Sequence, residues 1–177
     1  MKRFLVAAVL CSSLAAAADP SRARVLELLG GFERTASDDQ LISLGPGADR
    51  ALIALAQDRS SSRFTRRRAL AALGALRSIA TRDFLRARLR ELAGSTEMAD
   101  RLDLATCVRA LARIGDDALT DLVPLLAHAH PFVRLTVVEA LAGRVDARVE
   151  ELLAQRSAIE EDATVRDAIA RAIGAGR

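Results

Sequence analysis

The sequence contains no tryptophan, no tyrosine and only five phenylalanines in 177 residues. Single-strand nucleic-acid modules stack bases on aromatic side chains, and this chain has almost none to offer. Carbohydrate sites lose the same platform. Cysteine is scarce, since Cys11 and Cys107 are the only two. A single thiol left in the body of the chain excludes a disulfide scaffold. There is no CxxC pair, no GxSxG, and no glycine-rich loop followed by GK[ST]. Four prolines and ten glycines are too few for a collagen-like or linker-dominated chain. What remains is 51% hydrophobic and 28% charged, the balance of one ordinary globular domain with a buried core.

The N-terminus reads separately from the rest. Lys2 and Arg3 precede an uncharged stretch from Phe4 to Ala18, which ends in four alanines before Asp19-Pro20. A basic start, a short apolar centre and a small-residue exit make a secretory signal peptide. The stretch is shorter than the roughly 20 residues that a membrane span needs. The expectation is a signal over residues 1–18, cleavage after Ala18 and export to the periplasm or beyond. An uncleaved anchor or an amphipathic first helix is the alternative. A lipoprotein start at Cys11 fits poorly, because Leu10 stands where a small residue is needed. Loss of Lys2 and Arg3 takes the net charge from +3 to +1, so the basic balance says nothing about nucleic acids.

From residue 19 onward Leu and Ala recur at helical spacing. Leu104, Cys107, Val108, Leu111 and Ile114 share one helix face, as do Val133, Val137 and Leu141. No sustained period-2 alternation is present, so the fold class is all-α. Ser37 and Gln40 form a capping box, and Leu44-Gly45-Pro46-Gly47 stops one helix and starts another. Further starts are expected at Thr81, Ser95, Asp116, His130-Pro131, Asp146 and Ser157, with Gly94, Gly115 and Gly143 near helix ends.

The chain also repeats itself. Ala110-Leu111 aligns with Ala140-Leu141 at an offset of 30, Ala72-Leu73 lies 38 residues before Ala110, and Ala172-Ile173 lies 32 after Ala140. Val133-Arg134 and Val165-Arg166 each stand seven residues ahead of those pairs. A two-helix unit recurring at this period predicts an α-solenoid of about four to five helix pairs over residues 19–177. Its concave face would be the default binding surface.

Leu44 to Leu55 resembles the LG-x-x-A-x-x-ALI-x-L half of a HEAT-like repeat, and Arg66 to Gly74 and Val133 to Gly143 resemble its VR-x-x-A-x-x-AL half. The chain is similar to bacterial HEAT-repeat proteins of the type related to phycobilin lyase repeats, over about Leu41 to Gly174. Two stretches depart from the pattern: the first unit around Gly30-Gly31, and the unit in which Asp103-Leu104 replaces the VR pair. The resemblance implies Asp–Arg ladders, with Arg67, Arg134 and Arg166 on the second helices and Asp58, Asp116 and Asp146 in the connections. It implies no lyase chemistry, because a scaffold is shared across many roles.

Charge is uneven. Arg59 to Arg90 holds ten arginines and one acid, Asp83, a net +9. Asp19 to Asp58 carries −3 and Glu91 to Arg177 carries −5. Arg82, Arg86 and Arg90 recur at i, i+4, i+8 and share a helix face, and Arg63, Arg66 and Arg67 cluster on the preceding helix. These six are the candidate partner-binding residues. The plain alternative is a solvated face paired with acidic neighbours.

Other groups are weaker. His128 and His130 lie in a connection and lack the third ligand zinc wants. Glu160-Glu161-Asp162 and Asp116-Asp117 read as helix-start acids. Cys107 falls on an apolar stripe and reads as a buried hydrophobe. Gly30-Gly31 and Gly45-Pro46-Gly47 read as turns. The sequence therefore predicts an exported, non-enzymatic protein-interaction module or scaffold, without cofactor or metal, that receives an acidic or extended polypeptide. Anion or nucleic-acid binding by the Arg59–Arg90 block, and an accessory role in an enzyme complex, are the alternatives.

Overall fold

A computed structural model describes residues 20, 22–30, 36–115, 119–142 and 147–175. The expected signal segment 1–18, Gly31, Asp116-Asp117, Gly143 and Asp146 lie outside the described residues. Among those described there are ten helices and no strand. They are α1 (Arg22–Leu29), α2 (Asp38–Ile42), α3 (Ala48–Gln57), α4 (Arg63–Leu73), α5 (Ile79–Leu92), α6 (Met98–Ile114), α7 (Leu119–Leu122), α8 (Pro131–Ala142), α9 (Ala147–Ser157) and α10 (Ala163–Ala175), with a 3-10 turn at Val123–Ala127 after α7.

Short polar side chains fix where these helices begin. The Ser37–Gln40 capping box forms as expected, with Ser37 Oγ accepting from Gln40 N and Gln40 Oε1 accepting from Ser37 N. Ser62 caps α4 by accepting from Thr65 N. Gly47 starts α3 in the left-handed region at φ 83°, a conformation that a side chain would strain. Three expected starts shift. α5 is capped by Ser78, not Thr81, because the Ser78 hydroxyl accepts from Thr81 N and donates to Asp49 across the hairpin at 3.0 Å. α6 begins at Met98, three residues beyond Ser95. Ser157 closes α9 rather than opening a helix, and Ala163 opens α10.

Each first helix lies against the second helix that follows it: α3 with α4, α5 with α6, the α7 turn with α8, and α9 with α10. The second helices then stack in series, α4 on α6, α6 on α8 and α8 on α10. This is an α-solenoid of HEAT-like hairpins. Leu52, Leu73, Leu85, Leu104, Leu111, Leu141, Leu153 and Ile169 are fully buried and join into one core that runs through all four hairpins. The core is continuous because a hairpin's apolar stripe finds cover only on its neighbours.

The repeated Ala-Leu pairs sit where second helices touch. Leu73, Leu111 and Leu141 fill the space between layers, and Ala72, Ala110 and Ala172 keep the helix surfaces shallow. Closest of all is Gly74, where an added Cβ would meet the Ala110 Cα at 3.0 Å and its carbonyl oxygen at 3.1 Å. Backbone cannot swing aside as a flexible side chain can. Gly74→Val should therefore push α4 away from α6 and cost about 1–3 kcal/mol. A lowered urea midpoint with unchanged helicity in the folded state would match, and an unchanged midpoint would not.

Candidate functional site

Arginine does two different jobs in this fold. One set ties loops and neighbouring hairpins together. Arg66, Arg134 and Arg166 each occupy the fourth position of a second helix and reach back to carbonyls of the connection before it: Arg66 to Ser61, Arg134 to His128 and Ala129, and Arg166 to Glu160 and Glu161. This is the physical content of the repeated arginine. A guanidinium has enough donors to satisfy two carbonyls that the tight connection would leave bare. Arg66, and not Arg67, is the equivalent of Arg134 and Arg166.

A second set bridges from one hairpin to the next. Arg22 pairs with Asp58, Arg63 with Asp100 at 3.2 Å, Arg67 with Asp103 at 2.7 Å, and Arg86 with Asp121 at 2.5 Å. The partners are 36, 37, 36 and 35 residues apart, close to one repeat. A ladder thus exists, with rungs that differ from those the resemblance implies. Asp58 faces Arg22, and hydrogen bonds from Ser60, Arg22 and Ser61 hold its carboxyl well below the usual carboxylate range. Asp103, which stands where Val133 and Val165 stand in other units, is buried and lies against Arg67. Asp116 and Asp146 lie outside the described residues.

The tightest rung is Glu160. Its side chain is wholly covered and accepts from Arg134 Nη2 at 2.5 Å, Arg134 Nε at 2.8 Å, Arg156 Nε at 2.9 Å and the Asp162 backbone N–H at 2.9 Å. Hydrogen bonding by Arg134 leads in pulling its pKa from 4.5 down to about 2. This acid is a structural tie rather than a helix-start charge.

The histidines are also structural. His128 Nε2 lies 3.0 Å from the Ala93 carbonyl, and its Nδ1 accepts from His130 N at 3.0 Å. His130 Nδ1 accepts from Phe132 N at 3.2 Å and so caps α8. Acceptance at Nδ1 requires a neutral ring. Desolvation, then the charges of Arg101, His128 and Arg134, lower the pKa of His130 from 6.5. Cys107 is fully buried in α6, and desolvation pushes its thiol up to about 12, far from a reactive thiolate. Among the described residues, no group of three or more His, Cys, Asp and Glu is placed to hold a metal ion. No helix among them is long and apolar enough to cross a membrane.

The six arginines singled out by sequence do not form one patch. Arg67 and Arg86 are rungs of the ladder. Arg82 is half-buried and Arg90 exposed on α5, and neither lines the cleft described next. Arg63 and Arg66 do line it, together with Arg59 and Arg88, in a recess of about 670 Å³ between the end of α3, the start of α4, the middle of α5 and the start of α6. Glu91 and Asp100 are its only carboxylates, against four guanidinium groups. Arg63 shares Asp100, and Arg88 meets Glu91 at 2.7 Å, so two positive charges remain in excess. Arg59 and Arg88 escaped the spacing argument. Arg88 is two residues off the Arg82–Arg86–Arg90 stripe and faces another side of α5, while Arg59 lies in the connection, where no helical period applies.

The HEAT repeats family matches residues 92–174. Residues 92–174 carry HEAT repeats. The match begins at the last residue of α5 and runs through α6 to α10, and the α3–α4 hairpin and α5 ahead of it stack in the same way. HEAT repeats generally serve in protein–protein interaction and scaffolding. The match is to HEAT repeats in general and does not extend to the lyase-type relationship. No curated protein matches the chain.

Two outcomes are expected from this polar framework. Glu160→Ala takes the carboxylate away from the buried Arg134 and the part-buried Arg156 and should cost about 3–5 kcal/mol in urea unfolding. In the unaltered chain the depressed pKa of Glu160 gives stability that is complete above pH 4.5 and disappears as pH falls through about 2. His130 has the same sign, since its folded pKa is lowered: its contribution is intact above about pH 6.5 and is lost on further acidification. His130→Asn keeps an acceptor at the α8 cap and should flatten the stability difference between pH 7.5 and pH 5. A slope unchanged by this substitution would remove His130 as its source.

Proposed function

We propose that the chain is an exported, non-catalytic protein-interaction module whose arginine-lined cleft receives an acidic, extended polypeptide. The cleft carries this reading. Four guanidinium groups from three successive elements converge on one recess, and only two of their charges are met by Glu91 and Asp100. Guanidinium groups engage carboxylates through paired, charge-assisted hydrogen bonds. The stacked hairpins supply a rigid frame, which lowers the entropy lost when a flexible segment is captured. Among the described residues the one thiol, Cys107, is sealed in the core. Export follows from the basic start and uncharged stretch of residues 1–18, with cleavage after Ala18.

The partner is expected to be a protein and not a nucleic acid. The absence of tryptophan and tyrosine removes base stacking, and a single local cleft neutralises few phosphates.

Labelled polyglutamate measures the reading directly. Charge reversal at Arg59 and Arg88 should weaken its binding about tenfold or more, with far-UV circular dichroism unchanged. Duplex DNA of matched charge should bind more weakly than polyglutamate at physiological salt. Unchanged polyglutamate affinity in the double variant would overturn the assignment of the cleft. Tighter binding of DNA, with a steep logarithmic loss as salt rises, would replace the protein partner by a nucleic acid.

A further inference from the structure

The two carboxylates of the arginine cleft are held in different ways. Asp100 lies in the first turn of α6, where an acid suits the positive end of the helix dipole. One of its oxygens meets Arg63 Nη2 at 3.2 Å and the other accepts from Ser95 Oγ at 2.8 Å. It is thus fixed from two directions, and its side chain is only 25% exposed. Glu91 meets Arg88 Nη1 at 2.7 Å through one oxygen, and its side chain is 66% exposed.

The helix that carries Glu91 gains little from it. Glu91 stands one residue from the end of α5, among the carbonyls that form the negative end of the dipole. The pair also runs in the weaker order, with the base ahead of the acid. An exposed pair of this kind is easily parted. Arg88 is the more recessed partner, at 28% exposure, and lines the cleft beside Arg59, Arg63 and Arg66. A loosely held carboxylate on a recessed guanidinium has the same chemistry as the ligand proposed for this cleft.

We infer that Glu91 is the resident counter-ion of the cleft, filling the carboxylate seat on Arg88 until a carboxylate of the partner replaces it. This rests on the acidic-partner reading above and names the residue that regulates that site. As the partner's carboxylate takes Arg88, the Glu91 side chain turns into water, a rotation that its exposure leaves open. The exchange trades one ion pair for another, so the partner's net gain at Arg88 is smaller than at an open guanidinium. Asp100 stays in place, because leaving Arg63 would also break its bond from Ser95.

The test titrates labelled polyglutamate against the unaltered chain, Glu91→Gln, Arg88→Gln and the double variant. Glu91→Gln keeps the size of the side chain and removes the competing charge. It should tighten binding about two- to fivefold, the range that an exposed ion pair spans, and leave the urea midpoint unchanged. Asp83 is an exposed acid of α5 that does not line the cleft, so Asp83→Asn measures the effect of removing one charge at a distance. In the Arg88→Gln background, Glu91→Gln should gain no more than Asp83→Asn gains in the unaltered chain. No gain from Glu91→Gln, a gain equal to that from Asp83→Asn, or a gain that persists without Arg88 would overturn the counter-ion while leaving the cleft in place. So would a lowered urea midpoint, which would make the pair a structural tie. Binding by neither the unaltered chain nor Glu91→Gln would overturn the cleft and its counter-ion together.

Discussion

A pair of antiparallel helices makes more apolar surface than it can cover by itself, and every other property of this chain follows from how the excess is buried. Leu73, Leu111, Leu141 and Ile169 belong to different hairpins, yet they lie in one uninterrupted core. Each hairpin is at once covered by its predecessor and cover for its successor. Close stacking needs shallow helix surfaces, and the small residues at Ala72, Gly74 and Ala110 provide them. Only dispersion between well-fitted surfaces and the removal of apolar area from water act here, so the contact has no strong sense of register.

Polar groups add that register. An arginine on one hairpin finds an acid about one repeat further along, and a second arginine fastens the connection that leads into its own helix. Most rungs are half-exposed and add little energy individually. Their use is geometric, since each one is satisfied only at one sliding position of hairpin on hairpin. Glu160 is the extreme case. Buried and held by Arg134 and Arg156, it locks the α8 hairpin to the α9–α10 hairpin and joins two connections that have no covalent link. His128 of the same neighbourhood extends the network to the end of α5 through the Ala93 carbonyl.

These structural duties take up part of the basic charge. The basic block spans the second half of one hairpin and the first helix of the next, and neutral rungs consume much of it. Part of what is left, Arg59 and Arg66, lines one recess beside the start of α4, while Arg90 stays exposed on α5. Residues of α4 line both that polar recess and an apolar one, which its Phe64 shares with Leu29 and Leu41.

The sequence by itself determined the secondary structure, the repeat and the core. Leu and Ala at helical spacing, a capping serine or a proline at a helix start, and the recurrence of Ala-Leu every 30–38 residues are local or periodic signals, and local physics reads them correctly. Ser78 over Thr81 was beyond such reading, because Asp49 from another helix decides between two equivalent hydroxyls. The same holds for function. The sequence showed a run of arginines, and helical spacing grouped Arg82, Arg86 and Arg90. Only the tertiary structure decided that Arg67 and Arg86 face acids one repeat away, that Arg59 and Arg88 join Arg63 and Arg66 around one recess, and that Phe64 opens onto another. The physical reason is range. A cap or an apolar stripe is settled within a turn or two of chain, whereas the partner of a charge is set by whatever the stacking of hairpins brings within a few ångströms, across more than thirty residues of sequence.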